Sequence, residues 1–184
     1  MSDEQNFTAF SGQSCIAAGP LVQLLPALKQ RFDAGEDEMV LVFADATGAQ
    51  VDFDLRGTLD EVLHRALPAP ARSGPGRPKL GVVSREVTLL PRHWQWLEAQ
   101  PQGASAALRR LIEAARTQES PSDRVRQTQE AVGRVLTALA GNLPGYEEAT
   151  RALWAKDRIR LEALISAWPA DLRDYLLRLL WESF

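Results

Sequence analysis

Few side chains in this chain are of a type and spacing that could carry covalent chemistry. It holds two histidines, His64 and His93, and one cysteine, Cys15, far apart in sequence. None has a partner at nucleophile–base or metal-ligand spacing, so no enzyme site and no cofactor or metal is expected. Asp52 and Asp54 share one face of an alternating stretch, where paired carboxylates can move protons or hold a cation. Arg56 lies on that face too, and Val51, Phe53 and Leu55 take the other, which makes a solvated strand face the simpler reading. Glu147 and Glu148, followed by Arg151, suit a helix first turn and an ion pair. The chemistry that remains is charge-based. Residues 69–116 carry eight Lys/Arg and three Asp/Glu; residues 1–68 carry four and eleven, and residues 117–184 nine and ten. Within a chain of net charge -3, such segregation marks either an electrostatic footprint for a polyanion or a strip on which the acidic N-terminal part docks.

The basic segment opens with a Pro/Gly-rich stretch, Pro68 to Lys79, which reads as an extended connector. Within it, Gly76-Arg77-Pro78-Lys79 resembles the Gly-Arg-Pro core of an AT-hook. That resemblance implies an arm in the minor groove of A·T-rich double-stranded DNA, with Arg72, Arg77 and Lys79 against its negative potential. Position 75 is Pro where an AT-hook has Arg. Otherwise the stretch is a proline-rich linker.

Behind the arm come the elements that must position it. Arg85 to Leu90 is short and β-prone. Pro91 suits the first position of a helix that carries Trp94 and Leu97 on one face, with Trp96 turned elsewhere. Pro101-Gln-Gly103 breaks that helix. Ser105 is a candidate N-cap for the next, whose apolar stripe is Leu108, Leu111, Ile112 and Ala115. Strand, Leu90-Pro91, helix, glycine turn and second helix together resemble the ribbon–helix–helix module. The resemblance implies a homodimer whose paired strands enter the major groove of DNA, and a second helix whose start clamps a phosphate. Carried over from the Leu90-Pro91 match, Arg85, Val87 and Leu89 would face the groove and Ala104 and Ser105 would hold the phosphate, with Arg109 nearby. Val87 and Leu89 are apolar where groove-facing residues are polar, so the strand phase is inverted relative to the family pattern.

The flanks read as scaffold. Phe7–Phe10 and Ser14–Ala17 suggest a hairpin around Ser11-Gly12-Gln13. A helix follows Gly19-Pro20, kinked at Pro26 or starting beyond it. Met39–Phe43 and Val51–Leu55 form a second hairpin across Asp45–Gly48. Thr58 and Glu61 have capping-box spacing ahead of a further helix, on which His64 has no site role. Beyond Ser120-Pro121, three or four helices form a bundle, with Trp154, Trp168 and Trp181 in its core. The expected class is α+β: a small two-hairpin/helix domain over 1–68, a basic linker arm over 69–83, a strand–helix–helix segment over 84–118 and a helical bundle over 119–184.

The run GRPKLGVVSREVTLLPRHWQWL, with FADATGAQVDFDLRG before it and AGNLPGYEEATRALWAKD after it, is similar to an uncharacterised bacterial domain-of-unknown-function family. That resemblance spans almost the whole chain and implies no activity. With no signal peptide, no apolar run of membrane-helix length and one cysteine, the expected setting is the cytoplasm. The expected function is DNA binding of the transcription-regulator kind, as a homodimer. The alternative is a protein–protein interaction module, antitoxin-like or a scaffold, that touches no nucleic acid.

Overall fold

The computed structural model describes residues 5–67, 85–117 and 120–181. The chain divides into two compact units: residues 1–69 together with 122–184, and the intervening 70–121. Along the chain run β1 (Asn6–Ser11), β2 (Ser14–Pro20), α1 (Leu21–Asp33), β3 (Val40–Ala44), β4 (Ala49–Gln50), α2 (Leu59–Ala66), α3 (Pro91–Glu98), α4 (Gly103–Thr117), α5 (Pro121–Leu139), α6 (Tyr146–Trp154), α7 (Arg158–Ile165) and α8 (Ala170–Trp181). The α+β class is as the sequence implies. Helices α3 and α4 belong to the second unit and are described below.

In the first unit the four strands form one antiparallel sheet in the order β2-β1-β3-β4. Its two central strands are apolar on both faces, because each face has its own helical cover. Phe7, Ala9, Val42 and Ala44 point to one side and pack with Leu24, Leu25 and Leu28 of α1 and Val62 of α2. Phe10 and Phe43 point to the other and join the core of α5 to α8, where Leu136, Leu153, Ile165, Leu172 and Leu176 are buried. Burying each of the two phenylalanines is worth about 1.5–3 kcal/mol. Phe10 meets Tyr175 of α8 with ring centroids 5.3 Å apart.

A polar knot ties the same sheet face to α8. Asp45, at the end of β3, accepts from Thr8 Oγ1 of β1 at 2.8 Å and from the Tyr175 hydroxyl at 3.0 Å. Arg178 Nη1 donates to the other carboxylate oxygen at 3.0 Å, and Nη2 donates to Thr8 Oγ1 at 2.9 Å. The Asp45 side chain is 9% exposed, against 43% for that of Arg178. Burial, and then the nearby Asp45 carboxylate, push the Tyr175 hydroxyl well above the ordinary tyrosine value of 10.0.

Local signals place most helix ends. Thr58 and Glu61 close the expected capping box on α2, and Pro91 stands at the start of α3. Helix α1 begins directly after Pro20 and runs through Pro26. Lys156, at φ +59, separates α6 from α7. Two expectations change. The strand over Val51–Leu55 is cut to Ala49–Gln50, although Val51, Phe53 and Leu55 are still half-buried and Asp52 and Asp54 exposed. Arg65 of α2 takes the carbonyls of Asp54 and Arg56, so the stretch is tied to a helix side chain at that end. Of the three tryptophans expected in the bundle core, only Trp168 is buried; Trp154 is 51% and Trp181 73% exposed. Trp168 finds a partner for its indole N–H in the Pro144 carbonyl at 2.9 Å. Trp181 instead lies on the surface with the Arg158 guanidinium 5.0 Å from its ring.

Substitutions at the turn glycines and in the Asp45 knot, and a titration of Tyr175, test this packing. At Gly48, φ is +63 and an added Cβ would stand 2.1 Å from the Ala131 carbonyl oxygen of α5. At Gly35, φ is +70 but the space is open. Gly48→Ala is expected to lower unfolding free energy by about 2–4 kcal/mol and Gly35→Ala by about 1 kcal/mol, read from urea midpoints. Asp45→Ala, which leaves three donor groups without their acceptor, should cost about 2–4 kcal/mol, and more than Thr8→Val. For Tyr175 the folded value lies above the unfolded one, so its contribution is complete below pH 10.0 and falls as pH rises past it. Tyr175→Phe should remove that component of alkaline destabilisation in denaturation curves taken at successive pH values.

Candidate nucleic-acid interface

Of the residues that the sequence marks as functional, Ala104, Ser105 and Arg109 lie on α4, and Arg85, Val87 and Leu89 on the stretch before α3. Helix α3 begins at Pro91, whose missing N–H costs nothing there. It ends at Ala99, and Gln102 and Gly103 then take φ of +71 and +78, which reverses the chain. Leu97 and Ala107 are buried, and Trp94 and Leu108 half-buried, which gives the pair a small apolar seam. Helix α4 opens at Gly103, so Ser105 sits inside its first turn and does not cap it. Ala104 and Ser105 therefore contribute first-turn N–H groups, which have no acceptor within a helix.

Much of the apolar stripe expected to be buried is not. Leu111 is 45% and Ile112 56% exposed, and Ala115 is also exposed. Val87 and Leu90, at 55% and 51%, are exposed as well. The expected strand over Arg85–Leu90 forms no ladder in this single chain. Within it Leu89 is the least exposed residue, and Arg85, Glu86, Val87 and Thr88 are all exposed. Arg109 and Arg110 are exposed on α4. Arg92 sits beside His93, with Nε 3.5 Å from the imidazole Nε2. Arg72, Arg77 and Lys79 lie outside the described residues, so the arm has no geometry here.

Of the carboxylates weighed for chemistry, Asp54, Glu147 and Glu148 are ion-paired. Asp54 accepts from Arg56 Nε at 2.8 Å and Nη2 at 3.0 Å, and those bonds hold its carboxyl well below the usual range. Glu147 pairs with Arg151 at 3.1 Å. Among the described residues no group of three or more His, Cys, Asp or Glu is placed to hold a metal. Cys15 is exposed on β2; its N–H donates to Asp171 Oδ2 at 2.9 Å, and burial and then Asp171 raise its thiol above the ordinary value. Sequence reasoning missed the Thr8–Asp45–Tyr175–Arg178 knot. Thr8, Tyr175 and Arg178 stand 37, 130 and 133 residues from Asp45, so no local pattern signals it.

Among the described residues no helix is long and apolar enough to cross a membrane. No curated protein and no solved structure matches the chain. A family model described as an uncharacterised protein conserved in bacteria (DUF2239) matches residues 6–180, a span that takes in the sheet, the α3–α4 pair and nearly all of α8. The chain is a member of that family.

Proposed function

We propose that this protein binds double-stranded DNA as a homodimer, through the basic arm and the 85–117 segment, in the manner of a transcription regulator. The observation that carries the reading is the exposed apolar stripe of α4. A pair of helices of eight and fifteen residues buries little by itself, and Leu111, Ile112 and Val87 remain in water in a single copy. A second copy set against that stripe would bury it. The same contact would bring two Arg85–Leu90 segments side by side, where each could satisfy the other's backbone groups as a two-stranded ribbon. The α4 first turn, with Ala104 and Ser105, and Arg109 one turn on, supplies N–H groups and a cation suited to phosphate. Arg72, Arg77 and Lys79 would add the A·T-rich minor-groove contact.

One observation favours the alternative, an interaction module without nucleic acid. Val87 and Leu90 are exposed apolar residues in the segment that would enter the groove. They suit a protein surface better than base edges.

Sedimentation and duplex anisotropy separate the two readings. A dimer at micromolar concentration, broken by Ile112→Asp, is expected under the DNA reading. Under the DNA reading, a labelled duplex is bound with an affinity that falls steeply with salt, at a log–log slope of about -0.9 per phosphate contact. Arg109→Ala and Arg77→Ala should each reduce that slope by about one. A protein that binds neither a mixed-sequence nor an A·T-rich duplex at low salt would leave the interaction module, and a monomer would overturn the homodimer of the DNA reading.

A further inference from the structure

We propose that the groove between β4, α5 and α6 is a binding site for an uncharged, planar aromatic heterocycle of about bicyclic size. The groove is open to solvent and offers about 540 Å3, within the range of small-molecule sites. All its walls belong to the first unit. One wall is the indole of Trp154, half in water. That ring is set against α5 at Gly133, where a Cβ would come within 3.2 Å of the ring atom Cζ2. Its backbone is held from behind: the buried Gln129 amide donates to the Leu153 carbonyl at 2.6 Å and reaches that of Trp154 at 3.5 Å. An exposed aromatic fixed in this way is a stacking platform.

The hydrogen-bonding groups beside the platform are asymmetric. Thr137 Oγ1 is satisfied by the Gly133 carbonyl at 2.9 Å. Thr150 Oγ1, one helical turn before Trp154, is buried and has no partner among the described residues. A buried hydroxyl without a partner costs stability; this one is closed to solvent, so a ligand atom meets it, and removes that cost, when the Thr150 side chain turns toward the groove. Gln50, across the groove on β4, offers both an amide donor and a carbonyl acceptor. Glu130 and Arg134 on the rim face each other at 3.7 Å, so their charges offset and neither cation nor anion is favoured. A flat ring with donors and acceptors on its edge matches one aromatic wall, one waiting hydroxyl and one amide. A sugar would stack as well, but would need a denser set of polar partners.

Fluorine NMR of the full chain with fluorotryptophan tests this, with Trp154 assigned from Trp154→Phe. The probes are adenosine, benzimidazole and, as a non-aromatic comparator, methyl glucoside. Expected is a saturable shift of the Trp154 signal with an aromatic probe, with the Trp181 signal unmoved. Thr150→Val, which keeps the side chain's shape, should weaken that binding about fivefold, the loss of one neutral hydrogen bond. The proposal is overturned if neither aromatic probe moves Trp154 at about 10 mM, if methyl glucoside moves it equally, or if Thr150→Val binds unchanged.

Discussion

Asp45 is the point on which the first unit depends. Its carboxylate joins β1, through Thr8, to α8, through Tyr175 and Arg178, and its own N–H closes on the Asn6 carbonyl at 3.0 Å. A carboxylate this little exposed is tolerated because several donors converge on it. The charge-assisted bonds are directional, and they fix how the helix lies on the strands. The Phe10, Phe43 and Tyr175 cluster alone, being apolar, would fix it less sharply. Around this knot the central strands are covered on both faces, by α1 and α2 on one side and by α5 to α8 on the other. The family match over 6–180 spans both covers, in keeping with a sheet that would lose one buried face if either were removed.

The intervening segment follows a different logic. It has two short helices, a narrow seam at Leu97 and Ala107, and large apolar groups left in water. Under the proposed reading, a second copy covers that apolar surface and a phosphate backbone meets the exposed Arg85, Arg109 and Arg110.

Much of the fold was legible because its signals are local. The Ser11-Gly12-Gln13 turn, the Thr58/Glu61 capping box, Pro91 and the Pro101–Gly103 break act over a few residues, and each stands where the sequence implies. What failed was tertiary. Val51, Phe53 and Leu55 alternate as a strand should, but alternation reports which side is buried and does not report a hydrogen-bonded neighbour. Trp154 and Trp181 read as core because large apolar side chains usually are; that a glycine on α5 and an arginine on α7 would hold them at the surface has no local signature. The Asp45 knot was invisible for the same reason: Tyr175 and Arg178 lie 130 and 133 residues further along the chain. Of the candidate DNA site, Ala104 and Ser105 fall in a helix first turn and Arg85 and Arg109 are exposed. The phase at Val87 and Leu89 has no counterpart in three dimensions, because Arg85–Leu90 forms no ladder and all of it but Leu89 is exposed.

In the proposed reading, the sheet closed by both ends of the chain is complete in one copy, and the intervening segment is completed by association. Native-state hydrogen exchange, followed against denaturant at two protein concentrations, tests it most directly. The account predicts that amides of β1, β3, α5 and α8 share one opening free energy and one denaturant dependence. It also predicts that amides of α4 are protected more weakly, and more at the higher concentration. Exchange of α5 and α8 through an opening separate from that of β1 and β3, or α4 protection indifferent to concentration, would contradict it.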